Sequence, residues 1–329
     1  MEPNKSEKEK KQVKEDCKCN SLLTTSEPRR EKSSDSKNKA TSSHNAYCRI
    51  LTKEAPKSLV VSDVNCSLEQ NSKHRDYMED KVNINTPFNL NPKTALFILC
   101  DGHSSDFPAI KATEIIPGLF ETALKNINED SEEVNTIEEA FIECFAETDE
   151  ELLNKFKEEV GGGGATCNVI YICIENDKKV VYSANVGDSR SVLIRENIAL
   201  RLSFDHKASD PKEQKRVSKE GAIIMNGRLF GTLMVTRSLA DFELKNCGSG
   251  IGGLSVIPHV SRTELDSKDR YVLIGSDGIW DVITDNESLD MVNEFEKSED
   301  KRKLSDIFVT KAMNKGSKDN LSCIAIKLN

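Results

Sequence analysis

The sequence predicts an α+β fold in which antiparallel sheet is covered by helices, and three observations carry that prediction. Short apolar runs rich in strand formers outnumber what a β-α-β alternation needs. Several of them are joined by tight turns, which suits antiparallel pairing. The long helical patterns come as two in the first half and two in the second. With 329 residues, 37% hydrophobic and 31% charged, the chain can bury one large core or two ordinary ones under a well-charged surface.

Residues 1 to about 45 are Lys, Glu, Ser, Asn and Thr with almost no apolar side chain besides Leu22 and Leu23. Such a segment cannot bury enough surface to offset its ordering entropy, so a disordered charged tail is expected. Its run Lys8-Glu-Lys-Lys11 reads as solvated, with a nuclear address or docking arm as alternatives. From about residue 46 to 329 the composition is globular. Leu59-Val-Val61 opens a strand, Lys81-Val-Asn-Ile84 is the next, and Ala95 to Cys100 is a buried one. Phe107 to Ile127 has helical spacing at Ile110, Ile115, Leu119 and Leu124, with a kink or break expected at Pro117. Ile137 to Val160 is a stronger amphipathic helix, stopped by Gly161 to Gly164. Cys167–Ile174 and Lys179–Val186 pair across turn chemistry at Glu175 to Lys178, and Ser191–Ile194 follows. A polar, glycine-punctuated stretch with a short helix near 212–219 leads to the strand Tyr271–Gly275 and a turn at Ser276 to Asp281. Helices from about Glu287 and near 303–313, then the strand 321–327, complete the chain.

Charge excludes some functions. The net charge of −9 divides into +3 over residues 1–45 and −12 over the rest. An acidic body argues against nucleic acid and suits metal cations. No apolar window is long enough to span a membrane, and Met1-Glu-Pro-Asn-Lys-Ser-Glu lacks the apolar stretch of a secretory signal. The cysteines are irregularly spaced, several inside strand-like runs, which suits buried reduced thiols and a cytoplasmic or nuclear location.

The chemistry collects at strand ends. Asp101-Gly102-His103 follows a buried strand; taken alone, Asp-Gly is also an ordinary hairpin turn with His103 a loop residue. Yet carboxylates stand at the ends of several strands: Glu79-Asp80, Asp101, Asp277 with Asp281, and Asp319, with Asp188 a further candidate. If these ends converge, an all-oxygen donor set selects Mg²⁺ or Mn²⁺ over zinc. Two such ions sharing a carboxylate can activate water and clamp a phosphoryl oxygen, and Arg75 offers the planar fork that suits phosphate.

Taken together these motifs resemble the metal-dependent Ser/Thr protein phosphatases of type 2C. Arg75-Asp-Tyr-Met-Glu-Asp80 resembles that family's R-x-x-M-E-D, Asp101-Gly-His103 its D-G-H, and Ala184 to Arg190 its A-N-x-G-D-S-R. Leu202 to Lys207, Gly231 to Leu239, Ser276 to Asp281 and Asp319-Asn320 complete the series in the family's order. The resemblance implies a sandwich of two antiparallel sheets flanked by helix pairs, with a flap at about 207–253. It implies that Asp101 bridges two Mg²⁺ or Mn²⁺ ions, that the Gly102 carbonyl binds one, and that Asp277 and Asp319 hold the other. Glu79 and Asp80 would bind directly or through water, Arg75 would grip the substrate phosphate, and His103 would protonate the leaving oxygen. Asp188 with Asp281 looks like a weaker third-metal site. Phosphoprotein substrates and a monomer are expected. This chain departs from the family pattern at Lys73, Ser104-Ser105, Gly161 to Gly164 and Ala240-Asp241. A positive φ at Ser104 would cost roughly 1–2 kcal/mol. None of these swaps removes an expected ligand. The competing functions are a phosphoprotein-binding scaffold on the same fold and a phosphoesterase acting on small molecules or nucleic acid. Loss of ligands would mark the first, and a basic stripe would mark a nucleic-acid substrate; neither is present.

Overall fold

The computed structural model describes residues 56–127, 136–245 and 252–328; the stretch expected as a tail, 1–45, lies outside the described residues. The strands are β1 (Val61–Glu69), β2 (Lys81–Asn85), β3 (Thr94–His103), β4 (Gly164–Glu175), β5 (Lys178–Val186), β6 (Arg190–Arg195), β7 (Ile198–Arg201), β8 (Ile224–Met225), β9 (Arg228–Leu229), β10 (Leu239–Ala240), β11 (His259–Glu264), β12 (Asp269–Gly275) and β13 (Leu321–Leu328). The helices are α1 (Phe107–Asn126), α2 (Ile137–Val160), α3 (Pro211–Lys219), α4 (Phe242–Lys245), α5 (Asp277–Trp280), α6 (Asp285–Lys297) and α7 (Leu304–Asn314).

The strands β8 and β9 pair separately, and the other eleven form two antiparallel sheets. One has the order β11-β5-β4-β3-β2, with β10 added against the start of β4, and the other β1-β13-β12-β6-β7. Side chains alternate across each strand, and the alternation sorts them into three cores. Leu96, Ile98 and Cys100 of β3 point outward to Ile116 and Phe120 of α1 and Phe141 and Phe145 of α2. Ala95, Phe97 and Leu99 point inward, between the sheets, to Val272, Ile274, Ile324 and Ile326. Leu273, Cys323 and Ala325 face Met291, Val292 and Phe308 on the far side, under α6 and α7. The expected sandwich with helix pairs is the observed architecture. The same parity puts Asp101, two residues beyond Leu99, on the inter-sheet side. It does the same for Asp80, two residues before Val82.

Several local readings need correction. The helix α1 runs unbroken through Pro117. A proline there removes the hydrogen bond to the Thr113 carbonyl, and Asn83 Nδ2 replaces it at 2.8 Å. The strand β3 does not end before Asp101: Asp101, Gly102 and His103 pair with Thr166, Ala165 and Gly164, so Asp-Gly is not a hairpin turn. The expected turn after β12 is the short helix α5. Strands β7 and β11 were not foreseen: both are sheet edges, β7 a mostly exposed strand of four residues and β11 a mostly polar one without an apolar run. The stretch expected as a flap carries the β8-β9 hairpin and its own small core of Val217, Ala222, Leu229 and Leu254. No helix among the described residues is long and apolar enough to cross a membrane. Cys100, Cys144, Cys167, Cys173 and Cys323 are buried free thiols.

Candidate active site

The acidic residues gather at one end of the sandwich because four connections meet there. They are the loop before β2, the end of β3, the β12-to-α5 junction and the start of β13. The first and last are tied together by side-chain amides. Asn71 Nδ2 donates to the carbonyls of Ser317 and Asp319 at 2.8 and 3.1 Å. Asn320 Nδ2 donates to the carbonyls of Gln70 and Tyr77, both at 2.9 Å, and Asn320 Oδ1 accepts from the Glu79 amide at 2.8 Å. This stitching holds Arg75 against Asp319, with which it forms an ion pair through Nη2. The Arg75 side chain stays 43% exposed, so the rest of its fork faces solvent. Gly102 is required by close approach: a Cβ there would stand 2.9 Å from the Glu79 carbonyl and 3.0 Å from that of Ser105.

Asp80 is fully buried, and neither of its carboxylate oxygens has a hydrogen-bond partner among the described residues. The Ser322 hydroxyl beside it is also unpartnered. Burial pushes the Asp80 carboxyl up, Ser322, Ser276 and Asp101 temper the shift, and Asp319 adds to it. Asp101 is raised well above the usual carboxylate range, first by burial and then by Asp80, Asp277, Asp188 and Asp319. Asp277 is raised in the same way, by burial and then by Asp188, Asp319, Asp281 and Asp80. Glu79 is raised by burial and eased by Arg75 and His103. The predicted carboxylates thus share one field of mutual repulsion. Among the described residues, however, no three His, Cys, Asp or Glu side chains close to the spacing of a metal cage.

The donor chemistry fits hard cations. Orphaned buried carboxylate oxygens and mutually raised acids are costly unless positive charge is supplied, and oxygen-only ligands suit Mg²⁺ or Mn²⁺. At Asp188 and Asp281 the chain supplies a positive charge itself. Lys207 Nζ lies 2.7 Å from Asp281 Oδ1 and 3.5 Å from Asp188 Oδ2. Asp188 sits where β5 of one sheet passes into β6 of the other. Arg190, two residues on, anchors the crossing by pairing with Asp205 and Asp285.

His103 is partly exposed and faces Asp241, whose two oxygens both stand 2.9 Å from its Nε2. Sequence alone gives Asp241 no role: Ala240-Asp241 stands where the resembled family has Gly-Asp. Its signal was indirect: an acid just after Gly231 to Leu239, opposite four consecutive glycines. Lys207 enters the sequence pattern only as the last residue of the Leu202 to Lys207 motif, with no ion-pairing role attached.

Comparison with known proteins bears on the whole globular stretch. The family model described as Protein phosphatase 2C matches residues 64–321. The chain is 30% identical over 274 residues to Protein phosphatase 2C homolog 1 of Saccharomyces cerevisiae, covering 79% of this chain and 91% of that one. A relative of the same name in Schizosaccharomyces pombe is 30% identical over 264 residues, covering 79% and 71%. Among solved structures, a serine-threonine phosphatase 2C from Toxoplasma gondii superposes with a TM-score of 0.67 at 17% identity, over 84% of this chain and 97% of that one. A Caenorhabditis elegans sex-determining protein superposes at 0.71 with 22% identity, over 86% and 68%. At those identities the superpositions speak to the fold alone.

Proposed function

This chain belongs to the protein phosphatase 2C family and is a protein serine/threonine phosphatase, and from that premise we propose that it hydrolyses phosphoserine and phosphothreonine in protein substrates with two Mg²⁺ or Mn²⁺ ions at the acidic end of its sandwich. The observation that supports this best is Asp80, fully buried with both oxygens unpartnered beside Asp101. Such a carboxylate is expensive in a fold unless it serves a cation.

In this reading Asp101, Asp277, Asp319, Asp80 and Glu79, with the Gly102 carbonyl, would hold the two ions. Cations bound there supply Lewis acidity and lower the pKa of water toward neutrality. Arg75 binds the phosphoryl oxygens and orients the group for in-line attack. His103 gives a proton to the serine or threonine oxygen as its bond to phosphorus breaks. Asp188 and Asp281 would take a third ion only by displacing the Lys207 ammonium. The protein is expected to act as a monomer.

Phosphate release from a phosphothreonine peptide, measured with Mn²⁺, with Mg²⁺ and with EDTA alongside the Asp277→Asn protein, tests the proposal. Metal-dependent release that disappears in the variant is expected. A well-folded wild type with no release under any condition would overturn it in favour of a phosphoprotein-binding scaffold.

A further inference from the structure

The Asp241 carboxylate is 3% exposed, and its surroundings are built to hold it in one place. Ser238 Oγ donates to Oδ2 at 2.5 Å. The Asp241 amide donates to the Gly163 carbonyl at 3.1 Å, and its carbonyl accepts from the Leu244 and Lys245 amides at 2.9 and 3.1 Å. One residue earlier, the Ala240 amide donates to Asp149 Oδ1 at 2.7 Å. Lys245 Nζ binds the same oxygen at 2.7 Å. Gly164 makes room: a Cβ there would fall 2.1 Å from Asp241 Oδ2. Ala240 and Asp241 both adopt positive φ, 60° and 51°. Left-handed backbone at two consecutive residues with side chains costs roughly 1–2 kcal/mol each. Strain of this kind persists where the surroundings over-determine it, often at functional sites.

All of this converges on the His103 ring. Its Nε2 meets both Asp241 oxygens, and its Nδ1 has no hydrogen-bond partner among the described residues. We propose that Asp241 is a positioning residue for His103. Its carboxylate accepts the Nε2–H and fixes the ring and its tautomer, so that Nδ1 is the nitrogen left to meet the leaving oxygen. This rests on the reading of His103 as the proton donor. In that step the P–O bond to the serine or threonine oxygen breaks with its electron pair on oxygen. The donor is the imidazolium: its Nδ1 proton passes to that oxygen, which leaves the neutral Nε2–H tautomer held by Asp241, and Nδ1 is reprotonated from solvent. Asp241 touches neither substrate nor cation in this step.

The test compares a phosphothreonine peptide, whose alkoxide leaves poorly without a proton, with p-nitrophenyl phosphate, whose phenolate leaves readily. In Asp241→Asn the ratio of the two kcat values, peptide over aryl, falls about 10²-fold, the scale of general-acid catalysis. KM for the peptide moves little. The His103→Gln protein shows the same fall, and the double variant adds nothing to it. Long-range ¹H–¹⁵N spectra, which assign histidine tautomers, show the Nε2–H form of His103 in the wild type and its loss in Asp241→Asn. Equal losses on both substrates in His103→Gln would defeat the proton-donor reading itself. The expected split in His103→Gln with equal losses in Asp241→Asn would overturn the positioning role alone. If Asp241→Asn does not fold, Ser238→Ala carries the test; it keeps the charge and removes one anchor, and a smaller fall in the ratio is expected. An unchanged ratio there would overturn the proposal.

Discussion

Two buried acids in this molecule are held in opposite ways. Glu213, on α3, is as hidden as Asp80, and burial alone would raise it. Arg237, Arg216 and Thr236 overrule that and hold it far below the usual carboxylate range. Arg237 Nη2 reaches Oε1 at 2.8 Å, while Arg216 Nη2 and Thr236 Oγ1 reach Oε2 at 2.9 and 2.6 Å. Arg216 also binds the carbonyls of Thr236 and Gly253, so the glutamate ties α3 to the chain on either side of β10. Both carboxylate oxygens are hydrogen-bonded. Among the described residues Asp80 has no arginine beside it; its neighbours are the Ser322 and Ser276 hydroxyls and the acids Asp101 and Asp319. Glu213 is complete within the chain, whereas Asp80 is left without a hydrogen-bond partner among the described residues and Asp101 is raised by the acids around it.

The contrast can be broken at either end. Asp101→Asn should lower phosphopeptide hydrolysis by at least about 10³-fold, since it removes the carboxylate expected to be shared by both ions. Without added metal the same protein should melt at or above the wild-type temperature, because repulsion from Asp80, Asp277, Asp188 and Asp319 is relieved. Mn²⁺ at 100 times its dissociation constant should stabilise the wild type by about 2.7 kcal/mol, with a much smaller effect on Asp101→Asn. Calorimetry with and without Mn²⁺ reads both, and equal stabilisation of the two proteins would remove Asp101 from the cation site. Glu213→Gln should behave in the reverse sense. It takes the paired charge from two half-buried guanidinium groups and should cost about 3–5 kcal/mol, with or without EDTA, in urea unfolding. A neutral result would make Glu213 an ornament.

What the sequence disclosed follows the same division. The candidate carboxylates and His103 were legible because each stands at or near the end of a strand run, and Arg75 because it stands four residues before Glu79 in the Arg75 to Asp80 motif; acidic turns recurring at several strand ends are a pattern in one dimension. The sandwich itself was legible from the resemblance, and its antiparallel character from the hairpin at Glu175 to Lys178. The partners were not. Asn83 repairs α1 at Pro117 across 30 residues, Asp149 reaches Ala240 across 91, and Asp241 reaches His103 across 138. Those contacts depend on register and on Gly164, which no periodicity reports.

His206 sharpens the comparison at intermediate size, as a buried base in place of a buried acid. It is fully enclosed, Nδ1 is 3.1 Å from the Gly187 carbonyl, and Nε2 has no partner among the described residues. Burial, and then the charge of Arg237, pull its pKa down to about 3. The folded state therefore holds it neutral while the unfolded chain protonates near its ordinary value of about 6.5. Its contribution is fully present above that value and is lost as pH falls toward 3, at up to about 1.4 kcal/mol per pH unit. Urea unfolding between pH 7 and 5 should show this slope, flattened in His206→Gln. An unchanged slope would mean that other groups carry the acid sensitivity.

The smallest expected effect concerns backbone strain alone, with no charge involved. Ser104 follows directly on His103 with φ of 63° and an exposed side chain. The left-handed conformation costs a residue with a Cβ roughly 1–2 kcal/mol, and glycine removes that cost while adding roughly 0.5–1 kcal/mol of unfolded-state entropy. Ser104→Gly should therefore stabilise the protein by less than about 1 kcal/mol, or roughly 1–3 °C in a chain of this size. The same substitution loosens the backbone next to the histidine, so turnover on the phosphothreonine peptide is the informative second reading. Higher stability with unchanged turnover would mean that Asp241 alone holds the His103 ring in place. Higher stability with a lower peptide-to-aryl ratio would mean that the strained Ser104 backbone also helps to aim the ring.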